Sequence, residues 1–106
     1  MKYNYQDGIL SISLEEELDV NSCKTLRTVI DGYIMKYQPD EFFLNLEHVK
    51  FMDSSGIGLI LGRYNLLKLM NCNMTILNPT NSIKRVIELS NISNKIAMRS
   101  EWDERK

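Results

Sequence analysis

The chain has 106 residues, of which 43% are hydrophobic and 25% are charged, and its net charge is −1. It is long enough for a single domain, residues 1–106, to bury a core without metals or disulfides. The near-zero net charge gives no electrostatic support for a nucleic-acid partner or an anionic membrane surface.

The cysteines and the histidine of the chain are too few and too far apart in the sequence to predict a zinc site. Cys23 and Cys72 lie far apart in the sequence, and His48 is the single histidine. A zinc site needs several such ligands at characteristic spacings. We therefore expect no metal and no other cofactor.

Hydrophobic residues are spread along the chain in short periodic runs. No run approaches the roughly 18 uninterrupted apolar residues of a membrane-spanning helix. The N-terminal segment MKYNYQDGIL also lacks the apolar core of a signal peptide. These features predict a cytoplasmic protein without a membrane partner.

The N-terminal segment YNYQDGILSISL predicts a β-hairpin. Asp7 and Gly8 lie between two alternating apolar runs, and both residues tolerate the positive φ of a tight hairpin turn. In the second run Leu10, Ile12 and Leu14 alternate with serines, which is typical of a half-buried strand.

A first helix is predicted over residues 20–37, where apolar residues recur at helical spacing from Cys23 onward. Asn21 or Ser22 is expected to cap its start. Pro39 is expected to end it, because the residue before a proline avoids the helical region.

The remaining segments alternate between strand and helix patterns. Strands are predicted within 41–49, 73–79 and 95–98, and helices over 54–70 and 81–90. The order β-β-α-β-α-β-α-β favours an α/β fold with a mixed sheet of four or five strands. The core-facing residues predicted for the second helix are Ile57, Ile60 or Leu61, Tyr64 and Leu67.

The second helix begins in the segment FMDSSGIGLILGRY, which holds three glycines. The spacing of Gly56, Gly58 and Gly62 is similar to a dinucleotide-binding turn, but the connection from the preceding strand is longer than that turn allows. Gly62 is instead expected to allow close packing against a neighbour. The sequence DSSG also lacks the G-x-S-x-G elbow of serine hydrolases, and we predict no catalytic residue.

Ser54, at the start of this helix, has two interpretations on chemistry alone. In the first it is only a helix cap, whose side-chain oxygen accepts from free backbone N–H groups. In the second it is a phosphorylation or docking site, where a phosphate would meet unpaired amides and add negative charge beside Asp53. Gly56 and Gly58 would let another protein approach the serine closely.

The same residues carry a resemblance to a known family. VKFMDSSGIGLILGRY resembles the central motif of the STAS-domain anti-sigma factor antagonists, most closely the sporulation branch that controls sigma-F. The segments EELDVNSCKTLR and NPTNSIKRVIELSNI resemble the family's entry to the first helix and its third helix. The resemblance covers about residues 8–98, and it departs from the family pattern at Glu16 and Asn91, where the family has glycine.

The resemblance implies a small mixed sheet with helices mainly on one face. It also implies a regulatory switch rather than an enzyme. An unphosphorylated antagonist binds an anti-sigma factor, itself a serine kinase, and thereby releases the sigma factor. The kinase inactivates the antagonist by phosphorylating the serine that matches Ser54, and a PP2C-type phosphatase restores it. Because the chain ends soon after Trp102, the family's final helix is expected to be short or absent.

The resemblance implies a docking face around the switch serine. The residues assigned to it are Asp19, Asp53, Ser54, Ser55, Gly56, Ile57 and Gly58. Two alternatives remain: a STAS module of another partner-switching or stress-signalling complex, and a STAS domain that binds a nucleotide or small molecule.

Overall fold

Strands and helices alternate along residues 1–100, the part of the chain that the structure, a computed structural model, describes. The elements are β1 (Lys2–Gln6), β2 (Ile9–Ser13), α1 (Val20–Tyr37), β3 (Glu41–Asn45), α2 (Ser54–Leu69), β4 (Asn73–Leu77), α3 (Asn81–Leu89), a 3-10 turn (Ile92–Asn94) and β5 (Ala97–Arg99). The predicted order is confirmed. The expectation about a final helix near Trp102 lies outside the described residues.

The five described strands form one mixed sheet in the order β1-β2-β3-β4-β5. β1 and β2 pair antiparallel, and every later pair is parallel. The turn between β1 and β2 has positive φ at both Asp7 (53°) and Gly8 (81°), as the most favoured hairpin turn requires. The predicted hairpin and mixed sheet are therefore confirmed.

One face of the sheet forms the core with the helices. Ile12, Leu44 and Ile76 are aligned across three neighbouring strands and are fully buried. Because alternate side chains of a strand point to opposite faces, the next positions belong to the other face, and Phe43 and Thr75 there are only partly buried. The helices thus cover one face, as the family resemblance implied.

Tyrosines attach the edge strand β1 to α1. The ring of Tyr3 stacks on Tyr33 with centroids 4.1 Å apart, and Tyr5 stacks on Tyr37 at 4.4 Å. Such pairs stabilise beyond the apolar area they bury. β1 is therefore held by helix contacts as well as by its strand pairing.

The start of α1 differs from the prediction. Asp19, and neither Asn21 nor Ser22, is the N-cap: its Oδ1 accepts from the Ser22 N–H at 2.9 Å, and the Ser22 hydroxyl accepts from the Asp19 N–H at 3.2 Å. This reciprocal pair is a capping box in which serine takes the place of glutamate. The hydrogen bond from the Ser22 backbone is the main cause that lowers the pKa of Asp19.

The inward face of α2 also differs from the prediction. Gly56, Leu59, Ile60, Arg63 and Leu67 are buried, whereas Ile57, Leu61 and Tyr64 are only partly buried. Ile60 and Leu67 are buried as predicted, and the buried face extends to residues that were not predicted, among them Leu59 and Arg63. No helix among residues 1–100 is long and apolar enough to span a membrane.

The glycine that packs closely is Gly56, and the expectation of close packing at Gly62 is wrong. A Cβ atom built on Gly56 would lie 2.4 Å from Met52 Cγ and 3.0 Å from Leu18 Cβ. A Cβ atom on Gly62 would meet nothing within 4 Å. Gly56 is thus the residue that lets the start of α2 approach the loops beneath it.

Replacing Gly56 by alanine is expected to destabilise the fold by about 1–3 kcal/mol. The added methyl would overlap Met52 and crowd Leu18, so both residues would have to move away from α2. The matched control is Gly32→Ala in α1, where a Cβ would meet nothing within 4 Å. That variant should be more stable than the wild type by about 0.5–1 kcal/mol, from helix propensity alone. Urea unfolding monitored by circular dichroism measures both, and equal effects would contradict the packing role of Gly56.

The cap on α1 should make stability depend on pH in the acid range. A carboxylate whose folded pKa is lowered contributes stability that is fully present above its unfolded pKa, about 4, and is lost as pH falls through the folded pKa. Asp19→Asn keeps a capping side chain that does not titrate. The difference in unfolding free energy between wild type and Asp19→Asn should shrink between about pH 5 and pH 2, whereas parallel curves would show that Asp19 does not titrate with folding.

Candidate functional site

Two loops meet beneath the start of α2 through a backbone bridge between Leu18 and Met52. The Leu18 N–H donates to the Phe51 carbonyl at 2.9 Å, and the Asp53 N–H donates to the Leu18 carbonyl at 3.2 Å. Leu18 and Met52 are both buried. The bridge therefore holds Asp19 and Asp53, the residues that directly follow it, at the same edge of the molecule.

Asp53 caps α2, and Ser54 is the first helical residue. The Ser55 N–H donates to Asp53 Oδ1 at 2.7 Å, and the Gly56 N–H donates to the Asp53 carbonyl at 3.0 Å. The side chain of Ser54 is exposed. The interpretation of Ser54 as a helix cap is therefore wrong, and its hydroxyl is open to an approaching protein.

The capping geometry corrects a second expectation, that a phosphate on Ser54 would meet unpaired amides. The amides of Ser55, Gly56 and Ile57 already donate to Asp53. A phosphate would instead lie at the surface beside a carboxylate. Its charge would then change what the surface repels, without an internal partner to neutralise it.

Two carboxylates contribute to the electrostatics of this edge. Burial raises the pKa of the Cys23 thiol, and the charges of Asp53 and Asp19 raise it further. Both carboxylates are therefore close enough to Cys23 to act on it, and the thiol stays protonated at neutral pH. A phosphate on Ser54 would add to two negative charges that the fold already gathers here.

Some of the residues predicted for docking are exposed, and others are buried and position the exposed ones. Ser54 and Gly58 are exposed, and Asp19, Asp53 and Ser55 are partly exposed. Gly56 is buried against Met52, and Ile57 packs on the edge of the core. The structure thus brings all seven to one edge, where Gly56 acts by allowing the loops to pack.

The buried arginine of α2 was not among the residues predicted from the sequence. Arg63 Nε lies 2.7 Å from Asp31 Oδ1 of α1, and its NH1 donates to the Leu59 carbonyl at 3.3 Å. The contact with Asp31 is an ion pair and not an aligned hydrogen bond. Burial lowers the pKa of Arg63, Asp31 opposes that shift, and Arg27 adds to it. An arginine on an apolar helix face is the signal that could have indicated such a partner, but not which residue it is.

The described residues contain no group of three histidine, cysteine, aspartate or glutamate side chains that could hold a metal ion. Cys23 and Cys72 are both buried and unpaired. The polar groups that this edge exposes therefore include the Ser54 hydroxyl and the carboxylates of Asp19 and Asp53.

The chain is similar to known regulatory proteins. The STAS domain family matches residues 1–104. The anti-sigma F factor antagonist of Paenibacillus polymyxa is 30% identical over 92 residues, which cover 87% of this chain and 79% of the relative. That of Lysinibacillus sphaericus is 35% identical over 81 residues, covering 76% and 69%. The anti-sigma-B factor antagonist of Staphylococcus aureus is 30% identical over 87 residues, covering 82% and 80%.

Solved structures have the same fold. The anti-sigma factor antagonist SpoIIAA in its unphosphorylated form has a TM-score of 0.81 and 27% identity, covering 97% of this chain and 90% of that one. The phosphorylated form of the Bacillus protein SpoIIAA has a TM-score of 0.73 at 27% identity, covering 97% and 94%.

These relatives are regulatory binding proteins and not enzymes, in agreement with the prediction for this chain. The family match spans nearly the whole sequence, and the fold and the central motif agree with it. The chain belongs to the STAS domain family.

Proposed function

We propose that this chain is an anti-sigma factor antagonist, which in its unphosphorylated form binds a serine-kinase anti-sigma factor and releases the sigma factor. The observation that carries the proposal is the placement of Ser54. It is exposed at the start of α2, and the Leu18–Met52 bridge holds two carboxylates at the same edge. Relatives named as antagonists of anti-sigma factors support the same role.

We propose Ser54 as the residue that the kinase phosphorylates. Its hydroxyl is exposed, whereas Ser55 is partly buried and its amide is bound by Asp53. Because Asp53 supplies the cap, a phosphate on Ser54 would not remove a contact that holds the helix. SpoIIAA, which has been solved in both phosphorylated and unphosphorylated forms, supports a phosphorylation switch in this fold.

The phosphate would act through charge. It would add about −1.5 to −2 charges beside Asp19 and Asp53. Closing an interface over that charge would require removing it from water, and without a matching cation the penalty is several kcal/mol. Binding would therefore be lost without any change of fold.

The proposed cycle needs a second partner. A PP2C-type phosphatase acting on phosphorylated Ser54 would restore the binding form. The relatives that act on anti-sigma F factors support a sporulation sigma factor as the final target. A protein with this role would work in the cytoplasm, with the transcription machinery.

A stress-response switch is the second candidate, because the Staphylococcus aureus relative is an anti-sigma-B factor antagonist with similar identity and coverage. The identity of the anti-sigma factor that binds separates the two. A nucleotide site at the start of α2 is less favoured, since the Asp53 carboxylate occupies the position where a phosphate would accept from the helix amides.

Incubation with the anti-sigma F kinase of the source organism and Mg-ATP is expected to add one phosphate to Ser54. Intact-mass spectrometry counts the phosphates, and peptide mapping locates them. Ser55→Ala should still accept one phosphate and Ser54→Ala none. Phosphate on Ser55 would move the assignment by one residue, and no phosphate from a kinase with demonstrated activity would contradict the switch.

Ser54→Asp is expected to weaken binding to that kinase by about tenfold or more, because a fixed charge joins the two carboxylates. Ser54→Ala should bind like the wild type. The matched control is Asn71→Asp, which places the same charge at an exposed position beyond the other end of α2. Isothermal titration calorimetry measures all four proteins, and wild-type affinity for Ser54→Asp would contradict the electrostatic account.

A further inference from the structure

A groove of about 350 Å³ runs between α1 and α2 and begins beside the switch serine. Its α1 wall includes Lys24 and Arg27, and its α2 wall includes Ser55, Gly58 and Gly62. Because Ser55 directly follows Ser54, one end of the groove adjoins the site proposed for phosphorylation.

The groove is open because two glycines line it. Gly58 and Gly62 lie one turn apart on the same helix face. A Cβ atom on either would meet nothing within 4 Å, so neither glycine is required by packing inside the chain. Each is unfavourable by about 0.8–1 kcal/mol relative to alanine in a helix interior. This differs from Gly56, whose close contacts explain it.

The α1 wall of the groove carries positive charge that the fold does not use. Lys24 and Arg27 are exposed, and neither forms an ion pair within residues 1–100. Arg63 lies deeper in the groove and is already paired with Asp31. Val20, 59% exposed, adds an apolar surface at the same wall. The groove therefore presents two cationic side chains, Lys24 and Arg27, and the apolar side chain of Val20. They lie around a hollow, the space left open by Gly58 and Gly62.

We propose that this groove receives an acidic segment of the anti-sigma factor. The inference rests on the proposed function, and names the partner chemistry that the same edge selects. Carboxylates of the segment would pair with Lys24 and Arg27, and its backbone would fit into the hollow left by Gly58 and Gly62. Complementary charge of this kind fixes the register of an interface and excludes partners with the wrong sign.

The location of the groove accounts for the direction of the switch. An acidic segment entering beside Ser55 would be repelled by a phosphate on Ser54. This repulsion favours release of the partner after phosphorylation.

The test measures the affinity of the full chain for the anti-sigma F kinase of the source organism by calorimetry. Lys24→Glu and Arg27→Glu are expected to weaken binding by about tenfold or more each, since they replace an attraction by a repulsion. The affinity of the wild type should also fall as salt is raised, and that dependence should be smaller in the two variants. The matched charge control is Arg85→Glu on the exposed face of α3, which should bind like the wild type.

Gly62→Leu tests the hollow itself. The leucine should weaken binding by about tenfold or more, while the unfolding free energy stays equal to or above that of the wild type, because helix propensity improves. Gly32→Leu adds the same side chain to α1, also at a position where a Cβ atom would meet nothing within 4 Å, and should leave binding unchanged.

The outcomes separate this inference from the proposed function. A wild type that binds neither the anti-sigma F kinase nor an anti-sigma-B factor of the source organism would overturn both. A wild type that binds, with charge-reversal and leucine variants of equal affinity, would overturn the groove alone. Loss of binding in Gly62→Leu but not in Lys24→Glu or Arg27→Glu would overturn the acidic chemistry of the partner segment.

Discussion

The backbone bridge between Leu18 and Met52 is the contact on which the arrangement of this molecule's candidate site depends. It joins the loop after β2 to the loop after β3, two segments more than thirty positions apart in the sequence. Asp19 and Asp53 follow it directly and cap α1 and α2. Because both helices begin directly after this bridge, the bridge fixes the position of α1 relative to α2. It thereby also fixes the groove between them.

Asp53 and Ser54 have different roles: Asp53 stabilises the start of α2, and Ser54 is the residue proposed for phosphorylation. The carboxylate holds the helix start through the Ser55 amide, and the neighbouring hydroxyl is left at the surface. In the proposed role, modification therefore changes the electrostatic potential of a rigid edge and leaves the helix intact. Such a switch needs no second conformation, because the added charge alone distinguishes the two states.

The order of elements could be predicted because its signals are local. Asp7-Gly8 specifies the hairpin by its own backbone preference, and the periodicity of the later segments separates strands from helices. The helix caps could not be placed, since the backbone at Asp19 and Asp53 is fixed by a long-range bridge. The position of Arg63 on an apolar helix face indicates a buried partner, but the sequence does not identify that partner as Asp31 of another helix, 2.7 Å away. In both cases a contact between residues far apart in the sequence fixes the position that local sequence could not predict.

The two unpacked glycines of α2 also bear on how the sequence can change over time. Alanine at Gly58 and Gly62 would fit the fold and strengthen the helix, so the fold alone would favour substituting them. In the proposed role, the need to admit another protein would favour keeping them. In a descendant freed from its partner, these two positions would be among the first to drift, and the molecule would become more robust as it lost its role.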